Sequence, residues 1–325
     1  MKKRVRIPFI VPALLYFAAR KKSKVGGQAV MEGVMMRGKE HISLAVRKNE
    51  NEVVVERQPF SSVSKKYPIL GKPVFRGAVS LVESMIVGYK TLTRSAEILE
   101  DEQRRIASEE GKMVKERNKT GEKIVAGFSL VISLAITFGI FMYLPMWLFS
   151  HIVPKESALL FNLGSGSLRV VFFLLYLILI SMWKDIRRLF EYHGAEHKAI
   201  FTFEDGKELT LENMRGYTTL HPRCGTSFLF LVGFICIILF SFVDALYIMK
   251  FGPYPSTLVR FAVHFTLIPL VSGTSYEVLK LSDTYSHVPI VGLLIQPGLL
   301  LQKITTKNPD DSQLDVAAQA LKAAL

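Results

Sequence analysis

The chain has 325 residues, half of them hydrophobic, and its mean hydropathy is +0.28. The apolar residues are concentrated in long runs after residue 123, which excludes an ordinary soluble domain and indicates a membrane protein. The formal net charge of +13 is typical of a chain that retains Lys and Arg on the cytoplasmic side, and contact with RNA is the main alternative. Two cysteines, Cys224 and Cys236, are too few for a disulfide framework.

Residues 1–24 combine eight Lys/Arg, no acidic residue and a short apolar stretch, "PFIVPALLYFAA". This stretch is shorter than the roughly 20 residues that a spanning helix needs. The pattern predicts an arm at the membrane surface, in contact with anionic lipid headgroups.

Residues 25–99 are predicted to form a small cytoplasmic α+β domain. The runs "ISLAVRK" and "EVVVERQ" are rich in β-branched residues and flank a turn, so they predict two strands. The preceding "GGQAVMEGVMMRG" is interpreted as a turn whose glycines supply positive φ. The alternative is a loop that packs over the histidine motif described below.

A helix is predicted after these strands, because large apolar residues recur there at helical spacing. Packing of this apolar face against the strands is the favoured interpretation, and a helix lying on the membrane is the alternative. The charged segment 100–123 is predicted to be a linker or an extension of the helix. The apolar face comprises Val82, Met85, Ile86, Tyr89, Leu92 and Ala96.

Four long apolar segments predict four membrane-spanning helices within residues 124–282. The segment 283–306 is predicted to be re-entrant or interfacial, because Pro297 and Gly298 interrupt it. The four spanning segments are 124–149, 168–183, 228–249 and 258–279.

Charge sets the predicted orientation. The 183–225 connection carries seven Lys/Arg, whereas 151–167 carries only Lys155, so the former and both termini are placed in the cytoplasm. A short helix within 307–325, which Asp310, Asp311 or Ser312 can cap, is predicted to dock on the N-terminal domain. The predicted fold class is an α-helical polytopic membrane protein with a small cytoplasmic α+β domain.

The stretch "EYHGAEHKAI" contains the pattern H-x-x-E-H. On a helix, His193 and His197 would be one turn apart, which is the spacing by which two imidazoles bind one zinc ion. Glu196 would then be the catalytic general base. Gly194 disfavours a helix, so the sequence leaves open whether the two histidines share a face. The alternative is that these histidines only bond to carboxylates or to the backbone.

A zinc site needs a third protein ligand, and His221 and Cys224 in "LHPRCGTSF" are the candidates. Three ligands with an open position would indicate catalysis, and four would indicate a structural site. Glu212 and Glu277 are further candidates, either as ligands or beside them. For Glu277, the favoured interpretation is a salt bridge to an arginine.

Six motifs taken together resemble those of the YqhQ-like bacterial membrane proteins, a family with a domain of unknown function. The resemblance covers residues 25–320 and implies a bacterial cytoplasmic membrane. The family's description as predicted metal-dependent enzymes implies metal-dependent chemistry. The motifs are, in order, "GGQAVMEGVMMRG", "RGAVSLVESM", "EYHGAEHKAI", "HPRCGTSF", "SGTSYE" and "TTKNPD".

Two functions follow as hypotheses. The first is a metal-dependent hydrolase that holds a divalent metal, zinc, and cleaves a lipid or peptide bond at the cytoplasmic face. The second is a non-enzymatic scaffold or biogenesis factor that binds the translocation machinery or the ribosome through its basic cytoplasmic face. Specific DNA binding is not expected. Transport has less support, because the chain shows no internal repeat.

Overall fold

The structure, a computed structural model, describes residues 25–112, 119–153, 157–285 and 288–325. The surface arm predicted for 1–24 lies outside the described residues, as do residues 113–118 of the predicted charged linker. The remaining part of the N-terminal region folds into a four-stranded antiparallel sheet in the order β1-β2-β3-β4. The strands are β1 (Gly26–Val30), β2 (Gly33–Arg37), β3 (His41–Arg47) and β4 (Val53–Pro59).

The strands β3 and β4 confirm the two predicted from the β-branched runs. The glycine-rich segment before them is the hairpin β1–β2, and the prediction that its glycines supply positive φ is wrong. The positive φ of 48° belongs to Glu32 in the turn. Gly33 is needed for a different reason, since a Cβ there would collide with the carbonyl of Ala45 on β3.

Most of the chain is helical, and short connections join the helices. In chain order the helices are α1 (Val63–Lys66), a 3-10 turn (Pro68–Gly71), α2 (Phe75–Glu109), α3 (Lys119–Phe138), a π-helical turn (Gly139–Tyr143), α4 (Leu144–Ser150), α5 (Ala158–Ile180), α6 (Lys184–Glu204), α7 (Leu211–Arg215), α8 (Gly225–Phe251), α9 (Thr257–Thr266), α10 (Ile268–Thr284), α11 (Pro289–Thr305) and α12 (Asp311–Ala324).

Helices cover both faces of the sheet. Side chains alternate along a strand, so Val34 and Met36 pack against α6 and α12, whereas Met35 packs towards α2. The helix α12 starts at Asp310, whose carboxylate accepts a hydrogen bond from the Gln313 N–H at 2.9 Å. The predicted cap and the predicted docking of this helix on the N-terminal domain are both confirmed.

The long helix α2 packs on the sheet with a different face from the one predicted. Its buried residues include the small ones Gly88, Thr91 and Ser95, whereas the predicted apolar face is exposed, with Met85 at 58%. At Gly88 the missing side chain makes room for the Gln28 side chain of β1, whose Oε1 would collide with an added Cβ. The favoured packing of the large apolar residues against the strands is therefore wrong.

Three helical stretches are long and apolar enough to cross a membrane, and a fourth arises if α9 and α10, bent by 49°, form one span. The second stretch, α5, begins ten residues before the predicted segment and includes "ALLFNLGSGS". The segment predicted to be re-entrant or interfacial contains α11, which continues through Pro297 and packs on α8. The three single stretches are Ile124–Ser150, Ala158–Ile180 and Leu231–Phe251.

Candidate metal centre

The H-x-x-E-H pattern lies on α6, a helix of 21 residues that continues through Gly194. Glycine is required there because a Cβ would collide with the carbonyl oxygen of Lys307 in the segment before α12. The Lys307 N–H also donates to the Phe190 carbonyl at 2.9 Å, so the two segments are in backbone contact. The helix therefore places His193 and His197 on one face, with ring centroids 4.5 Å apart.

Each of these histidines is oriented by a backbone carbonyl. The Nδ1 of His193 lies 2.8 Å from the Thr305 carbonyl, and the Nδ1 of His197 lies 2.5 Å from the Thr219 carbonyl. A carbonyl only accepts, so Nδ1 carries a proton in both rings, and Nε2 is the nitrogen left to bind a metal, in His193 after it gives up the proton shared with Cys224. Carbonyl or carboxylate partners of this kind are usual behind metal-binding imidazoles.

Cys224 completes a group of three side chains. Its Sγ lies 3.1 Å from the Nε2 of His193, and the ligand atoms of Cys224, His193 and His197 all lie within 4.8 Å of one another. The backbone places the thiol here because Cys224 is the N-cap of α8, where helix amide groups favour an anion.

The electrostatics of the group favour a thiolate. Burial raises the pKa of Cys224, but His197 and His193 more than offset this and lower the pKa well below its usual value. Burial likewise lowers the pKa of His193, but the Cys224 sulfur, Glu196 and the Thr305 carbonyl raise it to about 9. Without a metal, the two side chains therefore form an imidazolium–thiolate pair.

Glu196 is buried beside this group, with one carboxylate oxygen 4.0 Å from the Nε2 of His193. Burial raises its pKa, and the two neighbouring histidines and the N–H of Gly27 on β1 only partly oppose that effect. A carboxylate with a raised pKa is a better proton acceptor near neutral pH than an exposed one.

The fourth predicted ligand, His221, lies next to the group and is not a member of it. Its ring is 5.4 Å from that of His197 between centroids, and its Nε2 faces Glu204 at 3.8 Å. Burial is the main cause that lowers the pKa of His221 to about 4, so the ring is neutral at pH 7. Gln302 of α11 fixes the backbone of His221 by accepting from its N–H at 2.7 Å.

The two other predicted carboxylates do not meet the histidines. Glu277 on α10 accepts hydrogen bonds from the Arg76 guanidinium, at 2.7 Å for Nε, and from the Val74 N–H at 3.3 Å. Glu277 therefore forms a salt bridge with an arginine, as in the favoured interpretation. Glu212 is exposed on α7 and does not line the cavity at the site.

A cavity of about 570 Å³ opens onto the group. It is lined by the strand β1, the helices α2 and α6, and the turn before α8 together with the first residues of α8. Its lining includes Gly27, Ser84, Glu196, His197, Arg223 and Cys224.

Sequence reasoning missed the groups that support these side chains. The Thr219 and Thr305 carbonyls and the Gly27 N–H are main-chain groups, which every residue type provides. The sequence contains one indirect signal for two of these groups. Thr305 lies in "TTKNPD" and Gly27 lies in "GGQAVMEGVMMRG", two motifs that the chain carries together with the histidine motif.

The fold and the site define a mostly helical chain with membrane-length apolar helices, a small sheet and a His-His-Cys group beside a buried glutamate. The chain belongs to the family described as "Protein of unknown function (DUF1385)", whose model matches residues 72–325. It is 32% identical over 310 residues to the "Uncharacterized protein YqhQ" of Bacillus subtilis (strain 168), covering 92% of each chain. The YqhQ-like resemblance is thus confirmed. No solved structure matches the chain.

Proposed function

We propose that this protein is a membrane-embedded, metal-dependent hydrolase whose site lies at the cytoplasmic face. The observation that supports it most is the convergence of His193, His197 and Cys224 within 4.8 Å next to a buried glutamate. Two imidazole nitrogens and one thiolate are a donor set that zinc favours. Three protein ligands leave one coordination position for the reaction, which is the arrangement of catalytic zinc sites.

A bound divalent metal would supply Lewis acidity, which polarises a substrate carbonyl and makes water a stronger acid. The chain's own residues do the rest. Glu196 takes the proton of the attacking water on a carboxylate oxygen and later returns it to the leaving group. The Thr219 and Thr305 carbonyls hold the imidazoles in place, so the donors need little reorganisation.

The membrane setting is supported by the three or four helical stretches of spanning length. We place the termini and the 183–225 connection in the cytoplasm, because that connection carries seven Lys/Arg. The catalytic groups lie on α6 and at the start of α8, which leads into a spanning stretch. The site would thus lie where that helix enters the bilayer.

Metal content tests the proposal. The full-length protein, the His193→Ala/His197→Ala variant and Glu196→Gln are purified in mild detergent without chelators or a nickel column. Bound metals are then quantified by mass spectrometry. We expect close to one zinc per chain in the wild type and in Glu196→Gln, and almost none in the double variant.

Metal-free samples of all three proteins, each with an intact fold by circular dichroism, would overturn the proposal. The basic cytoplasmic surface would then be the feature to investigate, as expected for a scaffold protein. Equal zinc in the wild type and the double variant would show that the metal binds elsewhere.

A further inference from the structure

The strand β1 contributes its edge to the cavity. The cavity is lined by five consecutive residues, 25–29, whereas a strand that presented only one face would contribute every second residue. β1 is the outer strand of the sheet, and β2 is its neighbour within the described part of the chain. The cavity wall at this point is therefore main chain.

The turn geometry shows which main-chain groups face the cavity. Val30 and Gly33 flank a two-residue turn and pair with each other, so Val30 and Gln28 bond to β2. Gly27 and Ala29 alternate with them and direct their N–H and C=O groups away from β2. Among the described residues, none hydrogen-bonds to Ala29 across this edge.

This edge is next to the catalytic groups. The Gly27 N–H interacts with the Glu196 carboxylate, and a Cβ on Gly27 would lie 2.9 Å from the Cδ of Glu196. Gly26 and Gly27 are both exposed, and a Cβ on Gly26 would meet nothing within 4 Å. Glycine at position 27 thus lets the Glu196 side chain lie directly against the β1 backbone, and the space beside Gly26 is open.

We infer that the substrate is an extended peptide, which binds as a fifth strand along β1 with its scissile carbonyl at the His-His-Cys group. This inference rests on the proposed function and adds the substrate class. The Gly27 N–H is taken by Glu196, but within the described residues the N–H and C=O of Ala29 remain available on this edge, and such a donor and acceptor complement a peptide backbone. An acyl chain has no such groups, so a lipid would leave the outward N–H and C=O of Ala29 unpaired.

The reaction would be amide hydrolysis. The oxygen of water forms a bond to the scissile carbonyl carbon, and the C–N bond breaks. One proton of the water passes through Glu196 to the leaving nitrogen, which departs as an amine. The other fragment departs as a carboxylic acid, which then releases the second proton of the water to solvent and becomes a carboxylate. No oxidant, reductant or second substrate is needed.

Binding of hydroxamates, which ligate the metal, tests the hydrolase proposal and the fifth-strand inference separately. The full-length zinc-loaded protein in detergent is titrated with acetohydroxamate, a tripeptide hydroxamate, its N-methylated analogue and octanoyl hydroxamate. We expect the tripeptide to bind about tenfold more tightly than the N-methylated analogue, which corresponds to two lost hydrogen bonds. Acetohydroxamate reports on the metal alone.

Ala29→Pro provides the matched change on the protein. Proline is compatible with an edge strand where the N–H points outward, and it removes the donor that would bond the substrate. We expect this variant to lose about threefold in tripeptide affinity, which corresponds to one lost hydrogen bond, and to keep its acetohydroxamate affinity. Ala29→Ser, which retains the N–H, should bind both ligands as the wild type does.

Each result decides something. If the tripeptide and its N-methylated analogue bind the wild type equally, the fifth-strand inference fails even where Ala29→Pro does not fold. Tighter binding of octanoyl hydroxamate than of the tripeptide would replace the peptide by an acyl substrate. Failure of acetohydroxamate to bind the zinc-loaded protein would instead overturn the hydrolase proposal itself.

Discussion

Gly194 shows how one residue sets the shape of the site. By itself a glycine in a helix is destabilising, and here it interrupts a motif that depends on helical spacing. The structure explains its presence through the Lys307 carbonyl, which occupies the space that a side chain would need. The residue that weakens the helical prediction is thus the one that lets the segment before α12 lie on the helix.

Gly194→Ala should therefore destabilise the protein, by about 1–3 kcal/mol, because the added methyl group meets backbone that cannot rotate away. The matched control is Gly127→Ala, also within a helix, where a Cβ would meet nothing within 4 Å. That change should be neutral or stabilising by up to about 1 kcal/mol. Thermal unfolding of both variants in one detergent measures the difference, and equal melting temperatures would contradict this account.

At the scale of elements, α2 differs most from expectation. Its large apolar residues look like a buried face in the sequence, yet it packs on the sheet through small residues. Near its start it also contacts α10, where a Cβ on Gly77 would lie 2.6 Å from the Cβ of Tyr276. If α9 and α10 form one span, this contact would bring the exposed apolar stripe of α2 to the level of the membrane surface.

We expect this stripe to lie in the lipid headgroup layer, because exposed apolar area of this kind is otherwise unfavourable in water. A nitroxide attached at position 85 in vesicles should be more accessible to oxygen than to a water-soluble nickel complex. A nitroxide at Asp101, an exposed polar position further along α2, should show the opposite preference. Equal, water-like accessibility at both positions would show that the stripe faces solvent or a protein partner.

At the scale of the whole molecule, Asp244 joins three helices. It is fully buried on α8 and accepts from Asn162 of α5 at 2.7 Å, while the Nε of Arg260 and the Nε2 of His264, both on α9, lie 2.8 Å away. The Tyr254 hydroxyl is the fourth partner and donates to Asp244 at 2.9 Å. Removal of a buried charge partner leaves the other charge uncompensated, which is costly.

Asp244→Ala should cost about 3–5 kcal/mol of stability for that reason. Asp311→Ala is the control, because Asp311 also pairs with an arginine, Arg215, but both side chains are more than half exposed, at 53% and 58%. That change should cost only about 0–1 kcal/mol. Unfolding of both variants in the same detergent tests the contrast, and a small effect at Asp244 would show that the bundle does not depend on it.

The sequence predicted those features that depend on spacing and on local chemistry. The strands β3 and β4 follow from their β-branched runs, and the cap of α12 lies at Asp310, one of the three residues that the sequence offered. The spacing of His193 and His197 suggested a shared face, but Gly194 left that open until the structure showed the helix. The carbonyls of Thr219 and Thr305 could not be predicted, because main-chain groups carry no residue signature. The packing face of α2 was predicted wrongly, since an apolar stripe that stays exposed and one that faces the core have the same residue composition.

The carbonyl of Thr305 lies 112 residues after His193, whose ring it orients. A nascent chain that has reached Cys224 therefore contains all three ligand side chains before the group that orients His193 has been synthesised. On the proposed function, metal captured at that stage is held by an imidazole that can still rotate, and it exchanges readily. The metal would exchange slowly only after α11 and α12 have docked and the Thr305 carbonyl holds His193 in place. The fraction of protein that retains its metal in a cell extract would then measure the fraction that has folded completely.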